Sequence, residues 1–150
     1  MSNFIAFFEE YATSPTGEAE HEELRESFAE RVRASHFRLM PPTSANGSKN
    51  RLLVGVALWS RADMELLDGL DEAALGATLF DVSLCRSQED FDRIIPGITP
   101  VFQTPVVGHW DGTQLLWKGS GAEAREYLNA LCTTPPHRAP ATGSPTNSAR

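Results

Sequence analysis

The sequence predicts an α/β protein in which a central mixed β-sheet is covered by helices on both faces. Three observations carry this. Residues 51–59, RLLVGVALW, form a near-continuous apolar run with the length and composition of a strand buried on both faces. After it, helix-like and strand-like periods alternate, as βαβ units with right-handed crossovers require. The pattern then ends in two apolar runs, Val106-Val107 and Leu115-Leu116-Trp117, separated by Asp111-Gly112, a dipeptide suited to a tight hairpin.

Along the chain, residues 3–12 place Phe4, Phe7, Phe8 and Tyr11 at helical spacing with Glu9 and Glu10 opposite. So much aromatic surface on a short helix must be buried, either on its own domain or as an arm docked on another subunit. Ser14-Pro15-Thr16-Gly17 breaks this helix, so residues 1–17 are set apart as an N-terminal unit. A second helix runs from Glu18 to about Ala34, with Leu24, Phe28 and Val32 in one stripe. Its acidic first turns and the basic Arg31 and Arg33 near its end suit the helix dipole. His36 to Met40 reads as a short extended segment, and residues 41–50, PPTSANGSKN, as a flexible loop.

Beyond the run at 51–59, Asp63 to Leu75 is predicted as a helix with Leu66, Leu67, Leu70 and Ala74 inward. Ala77 to Val82 is a second strand. Ser87 to Ile95 is a helix with Phe91, Ile94 and Ile95 inward, stopped by Pro96-Gly97. The hairpin leads through Gly119-Ser120-Gly121 to a last helix with Ala124, Tyr127, Leu128 and Leu131 on one face. Ser120 with Glu123 fits a capping box at its start. By alternation His109 shares a face with Val107, and Trp110 and Trp117 are expected to meet across the hairpin. From Thr133 the chain turns to Pro, Thr, Ser and Ala, which predicts a disordered tail over 133–150.

Composition narrows the function classes. A net charge of -7 argues against a nucleic-acid binder, which needs clustered Lys and Arg on phosphates. A hydrophobic content of 41% with a mean hydropathy of -0.29 describes a soluble chain, and no stretch approaches a membrane span. The two cysteines, Cys85 and Cys132, form no CxxC pair, so a reducing, cytoplasmic setting is expected. The start MSNFIAFFEEY lacks the basic n-region of a signal peptide. His21, His36, His109 and His137 show no metal-ligand spacing, and no glycine loop for a nucleotide occurs, so no metal and no cofactor are expected.

The order Thr104-Pro105, strand, Asp111-Gly112, strand, Gly119, helix resembles the C-terminal half of the thioredoxin-like fold. The resemblance spans roughly residues 18–131. It implies a three-layer α/β/α sandwich with extra N-terminal helices, a domain over 18–132, and a cis proline at Pro105 bordering a substrate groove. Members that exchange disulfides carry Trp-Cys-x-x-Cys after the first central strand, and the matching place here is Trp59-Ser60-Arg61-Ala62-Asp63. A serine hydroxyl neither ionises like a thiol at a helix start nor forms a mixed disulfide, so dithiol exchange there is excluded by residue type. Ser-x-x-Asp is instead close to a capping box, with Ser60 as N-cap and Asp63 returning to the first free amide.

The resemblance then implies a redox-inactive, non-catalytic module that holds a protein partner, as an adaptor or chaperone-like accessory, in a groove lined by Trp59, Ser60, Arg61, Asp63, Thr104 and Pro105. Two alternatives stay open. Glutathione-transferase N-terminal domains are similar in strand and helix order, and they imply glutathione contacts at Ser60, Thr104 and Ser120; Cys85, beside Arg86, is the one candidate for a reactive thiol. The other alternative is a homodimer or scaffold built through the N-terminal helices.

Overall fold

The computed structural model describes residues 3–11, 18–40 and 51–133. Among them the element order is α1 (Asn3–Tyr11), α2 (Glu18–Arg33), β1 (Arg38–Leu39), β2 (Leu52–Val56), α3 (Arg61–Glu72), β3 (Thr78–Asp81), a 3-10 turn (Val82–Leu84), α4 (Gln88–Ile94), β4 (Val106–Asp111), β5 (Gln114–Ser120) and α5 (Ala122–Thr133). The break at 14–17, the loop at 41–50 and the tail from 134 onward lie outside the described residues. Thr133 itself closes α5 rather than opening a tail.

The strands form one mixed sheet in the order β1-β3-β2-β4-β5. β1 and β2 both run parallel to β3, whereas β4 pairs antiparallel with β2 and with β5. Two further strands flank β2, which explains its five buried residues and its lack of any polar alternation. No helix is long and apolar enough to cross a membrane among the described residues.

Successive residues of each strand feed two separate cores. Val54, Leu79 and Val107 point to the face covered by α1, α2, α3 and α5. Leu53, Phe80, Val106 and Trp110 point to the other, which is covered by α4, the 3-10 turn and the 95–101 segment.

The aromatic helix α1 belongs to the first core. Phe4 and Phe7 are fully buried, and Phe28 of α2 lies 5.8 Å from Phe4 and 5.5 Å from Phe7 between ring centroids. Phe37 stands 5.8 Å from Phe4 on its other side. Nine residues make a helix that is marginal in water, so this packing supplies its stability. Its start is held across the fold. The Asp68 carboxylate of α3 accepts from the amides of Phe4 at 2.8 Å and Ile5 at 3.0 Å, satisfying two free N–H groups at the positive end of the helix dipole. Of the two placements open in the sequence, packing on its own domain is the one observed. Residues 3–11 share a core with α2, α3 and the sheet and are not a separate arm.

Local chemistry corrects several boundaries. α3 begins at Arg61 instead of Asp63 and ends at Glu72, because Ala74 adopts a left-handed φ of 56°. Ala74 is therefore exposed instead of inward. The hairpin turn sits one residue later than predicted. Asp111 pairs with Gln114, so the two turn residues are Gly112, with φ 64°, and Thr113. A bulge comes next, since His109 opposes Trp117 while Trp110 opposes Leu115, which leaves Leu116 as the extra, outward residue. Trp110 and Trp117 consequently lie in different layers and do not meet. Trp110 fills the second core, while Trp117 stacks on Tyr127 of α5 with centroids 4.1 Å apart.

Candidate functional site

The site predicted from the resemblance lies where β2 hands over to α3 and where the 95–105 segment enters β4. Ala57 to Ser60 make the turn after β2. Ser60 is the N-cap of α3, with φ -102° and ψ 113°, and its hydroxyl accepts from the Asp63 amide at 3.2 Å. The return half of the expected capping box is different. The Asp63 carboxylate reaches past Ser60 and accepts from the Ala57 amide at 2.9 Å. Asp63 is fully buried, and its second carboxylate oxygen lies 3.6 Å from a guanidinium nitrogen of Arg125 on α5. Arg125 also donates to the Ala62 carbonyl at 3.3 Å. Asp63 thus ties the turn, α3 and α5 together from inside.

The facing wall is the 95–105 segment, and side chains of α4 hold it. Gln88 pairs with the Val101 backbone in both directions, donating to its carbonyl at 2.9 Å and accepting from its amide at 2.8 Å. Asp92 accepts from the Thr99 hydroxyl at 2.8 Å and its amide at 3.2 Å, and these bonds hold its carboxyl below the usual aspartate range. The Thr99-Pro100 and Thr104-Pro105 peptide bonds are both cis. The Pro105 carbonyl accepts from the Gly121 amide at 2.9 Å, which joins the start of β4 to the start of α5. Gly121 has a φ of 72°, a left-handed conformation that favours glycine, and it packs against the Gln103 side chain.

Between these walls lies an open depression of about 610 Å³, lined by Trp59, Ser60, Phe91, Phe102, Gln103 and Thr104 among others. Its two most prominent groups are aromatic. Trp59 is 63% exposed and Phe102 is 83% exposed. Among the described residues, no hydrogen bond engages the backbone of Phe102, Gln103 or Thr104, so their amides and carbonyls are unpaired within the fold.

Of the six groove residues named from the sequence, Trp59, Ser60 and Thr104 come together here. Pro105 is buried and does not line the depression. Arg61 and Asp63 belong elsewhere, and the reason is their helical phase. Arg61 projects toward α1, 3.6 Å from Glu9 and 3.3 Å from Glu65, with its guanidinium 5.8 Å from the Phe8 ring centroid. Asp63 points inward. Phe102, Gln103 and Phe91 were missed. The signal for Phe102 was an aromatic residue in a proline-bounded stretch with no apolar period to place it in a core.

The residues of the two thiol readings are dispersed. Ser120 is not an N-cap. It ends β5 opposite Val106, with Gly121 between it and α5, and it does not line the depression. The Cys85 thiol is pushed up to about 11, first by burial and then by the Asp90 and Asp81 carboxylates, against the charge of Arg93. The basic neighbour that acts on Cys85 is Arg93 and not Arg86, and it is outweighed. Such a thiol is protonated at neutral pH and is a poor nucleophile. Burial likewise raises the Cys132 thiol. His109 is half-buried on the Val107 face, as alternation predicts, with its ring nitrogen 2.5 Å from the Tyr127 hydroxyl. Burial, with the charge of Arg51, lowers its pKa. It lies among packing residues and away from the depression.

Compared with protein-family models, with curated proteins and with solved structures, the chain finds no match.

Proposed function

We propose that this chain is a redox-inactive thioredoxin-like protein that holds an extended segment of a protein partner in the groove beside Pro105. The observation that carries the reading is the pairing of two exposed aromatic side chains, Trp59 and Phe102, with the unpaired backbone of residues 102–104 along one depression. Backbone groups of that kind bind an extended peptide by strand-like hydrogen bonding, and the flanking apolar surfaces select its side chains. The mixed sheet, the helices on both faces and the hairpin that leads into α5 support the fold assignment. Serine and a buried aspartate at positions 60 and 63 leave the groove in place while removing the thiol chemistry.

Peptides selected by display against the wild-type protein test this directly. Affinities are then measured for wild type, Thr104→Arg and Phe102→Ser. Binding at least tenfold weaker in both variants is the expected result. Equal affinities in all three proteins remove the groove reading. If glutathione, titrated as a control, saturates the Ser60 and Thr104 resonances, a tripeptide site replaces the protein partner.

A further inference from the structure

A second open concavity, of about 410 Å³, lies at the amino ends of the parallel strands, the opposite end of the sheet from the groove. The two share no lining residue. Strand register explains what gathers there. Arg38 of β1 pairs with Thr78 of β3, and Thr78 pairs on its other side with Leu53 of β2. Residues paired across a sheet point to one face, and Arg51 stands two residues before Leu53. The Arg51 carbonyl accepts from the Trp110 amide at 2.7 Å, which carries the β2–β4 ladder one residue further. Alternation therefore puts Arg38 and Arg51 on the same face, on either side of β3. Two strand spacings and a two-residue step separate their Cα atoms by about 12 Å, a gap that two arginine side chains can close from both ends.

The lining holds these two arginines and His36 but no carboxylate, although the chain has 20 acidic against 13 basic residues. Asp71, which accepts from the His36 amide at 2.9 Å and lies 2.7 Å from its ring nitrogen, is outside the lining. Elsewhere Arg31, Arg61, Arg93 and Arg125 each lie against a carboxylate. Among the described residues, the guanidinium groups of Arg38 and Arg51 have neither an ion-pair nor a hydrogen-bond partner. The stretch 41–50, which leads in sequence to Arg51, contains Lys49 and no Asp or Glu. A cleft lined by charge of one sign concentrates ions of the other.

We infer that this concavity binds a phosphate dianion, free or as the monoester of a small molecule, between the guanidinium groups of Arg38 and Arg51. The planar fork of each guanidinium matches two phosphate oxygens, and two such forks match the charge of a dianion. A phosphate monoester carries close to two negative charges at neutral pH. At the ~30 Å³ that one water occupies in the liquid, the space admits about a dozen heavy atoms, enough for a phosphate with a short organic body.

The test is a calorimetric and NMR titration of the full chain with glycerol 3-phosphate, inorganic phosphate and the singly charged dimethyl phosphate. Saturable binding of at least one dianion, with shifts at the Gly76 and Thr78 amides, is expected, about tenfold or more tighter than dimethyl phosphate. Tighter binding of glycerol 3-phosphate than of inorganic phosphate assigns the site to an ester, and the reverse assigns it to the free ion. Arg38→Gln and Arg51→Gln, both at exposed positions, are each expected to weaken the dianion about tenfold or more. Gly76 lines the concavity, with nothing within 4 Å of where a side chain would begin. Gly76→Asp sets a competing carboxylate there and is expected to abolish binding, whereas Gly76→Asn is expected to retain it. Dianions that do not saturate overturn the inference, as do equal affinities for dimethyl phosphate or binding that survives both arginine substitutions. Loss of binding in Gly76→Asn equal to that in Gly76→Asp also overturns it. If the Gly76 variants fail to fold, the arginine variants and the dimethyl phosphate ratio decide it.

Discussion

The two faces of the sheet are built from alternate residues of the same strands, yet they end differently. One face is closed by four helices and holds the aromatic cluster of Phe4, Phe7, Phe28 and Phe37. The other is covered by the seven-residue α4 and by chain without regular structure, and beside it Trp59 and Phe102 stand in solvent. The difference teaches where apolar side chains hold the fold together and where the fold leaves them in solvent. On the closed face Phe4, Phe7, Phe28 and Phe37 are buried and each packs on another ring. On the open side the aromatic residues project from turns whose backbone is fixed by polar side chains, Gln88, Asp92 and Asp63, so the turns hold their shape without burying the rings.

The sharpest way to break this comparison is a pair of truncations. Phe4→Ala removes a fully buried ring and is expected to cost about 3–5 kcal/mol in urea unfolding. Phe102→Ala, on the open side, is expected to stay within about 0.5 kcal/mol of wild type. If the two cost the same, the faces do not differ as described.

Asp68→Ala tests how α1 is held to the closed face. It removes the acceptor of the Phe4 and Ile5 amides and is expected to cost roughly 0.5–2 kcal/mol, the range for loss of a helix cap. Amide hydrogen exchange of residues 4–8 should accelerate more than that of α5. Uniform acceleration would show that α1 depends on its aromatic packing alone.

The smallest effect concerns His109. Its folded-state pKa lies below the ordinary 6.5, so below that pH the unfolded chain binds more protons than the folded one. The stability linked to neutral His109 is therefore fully present above pH 6.5 and declines as pH falls toward the folded value. His109→Gln is expected to flatten this part of the stability-pH curve. An unchanged slope would place the titration on another group.

The local rules made much of the fold readable. Thr78–Asp81 and Leu52–Val56 fall inside the predicted strands, and α2 and α5 lie close to their predicted spans because period and turn chemistry agree there. The candidate site was legible only in part. Trp59, Ser60 and Thr104 sit at element boundaries that turn chemistry marks. Arg61 and Asp63 come on the first turn of α3, where helical phase and the approach of α1 and α5 send one outward and the other in. The bulge at Leu116 was equally hidden, since nothing in QLLWK separates a regular strand from one with an extra residue.

By itself the sequence determined the class of fold: strand and helix alternation and the hairpin, together with the absence of a thiol pair at positions 60 and 63 and a net charge of -7. Each comes from residue type or from a period within one segment. Only the tertiary structure decided that α1 closes the core and receives its amide partners from Asp68. It alone also showed that Phe102 joins Trp59 over one depression and that, among the described residues, one Asp81 oxygen is buried without a hydrogen-bond partner. Those outcomes depend on contacts between residues far apart in the chain, whose spacing leaves no mark in a linear pattern.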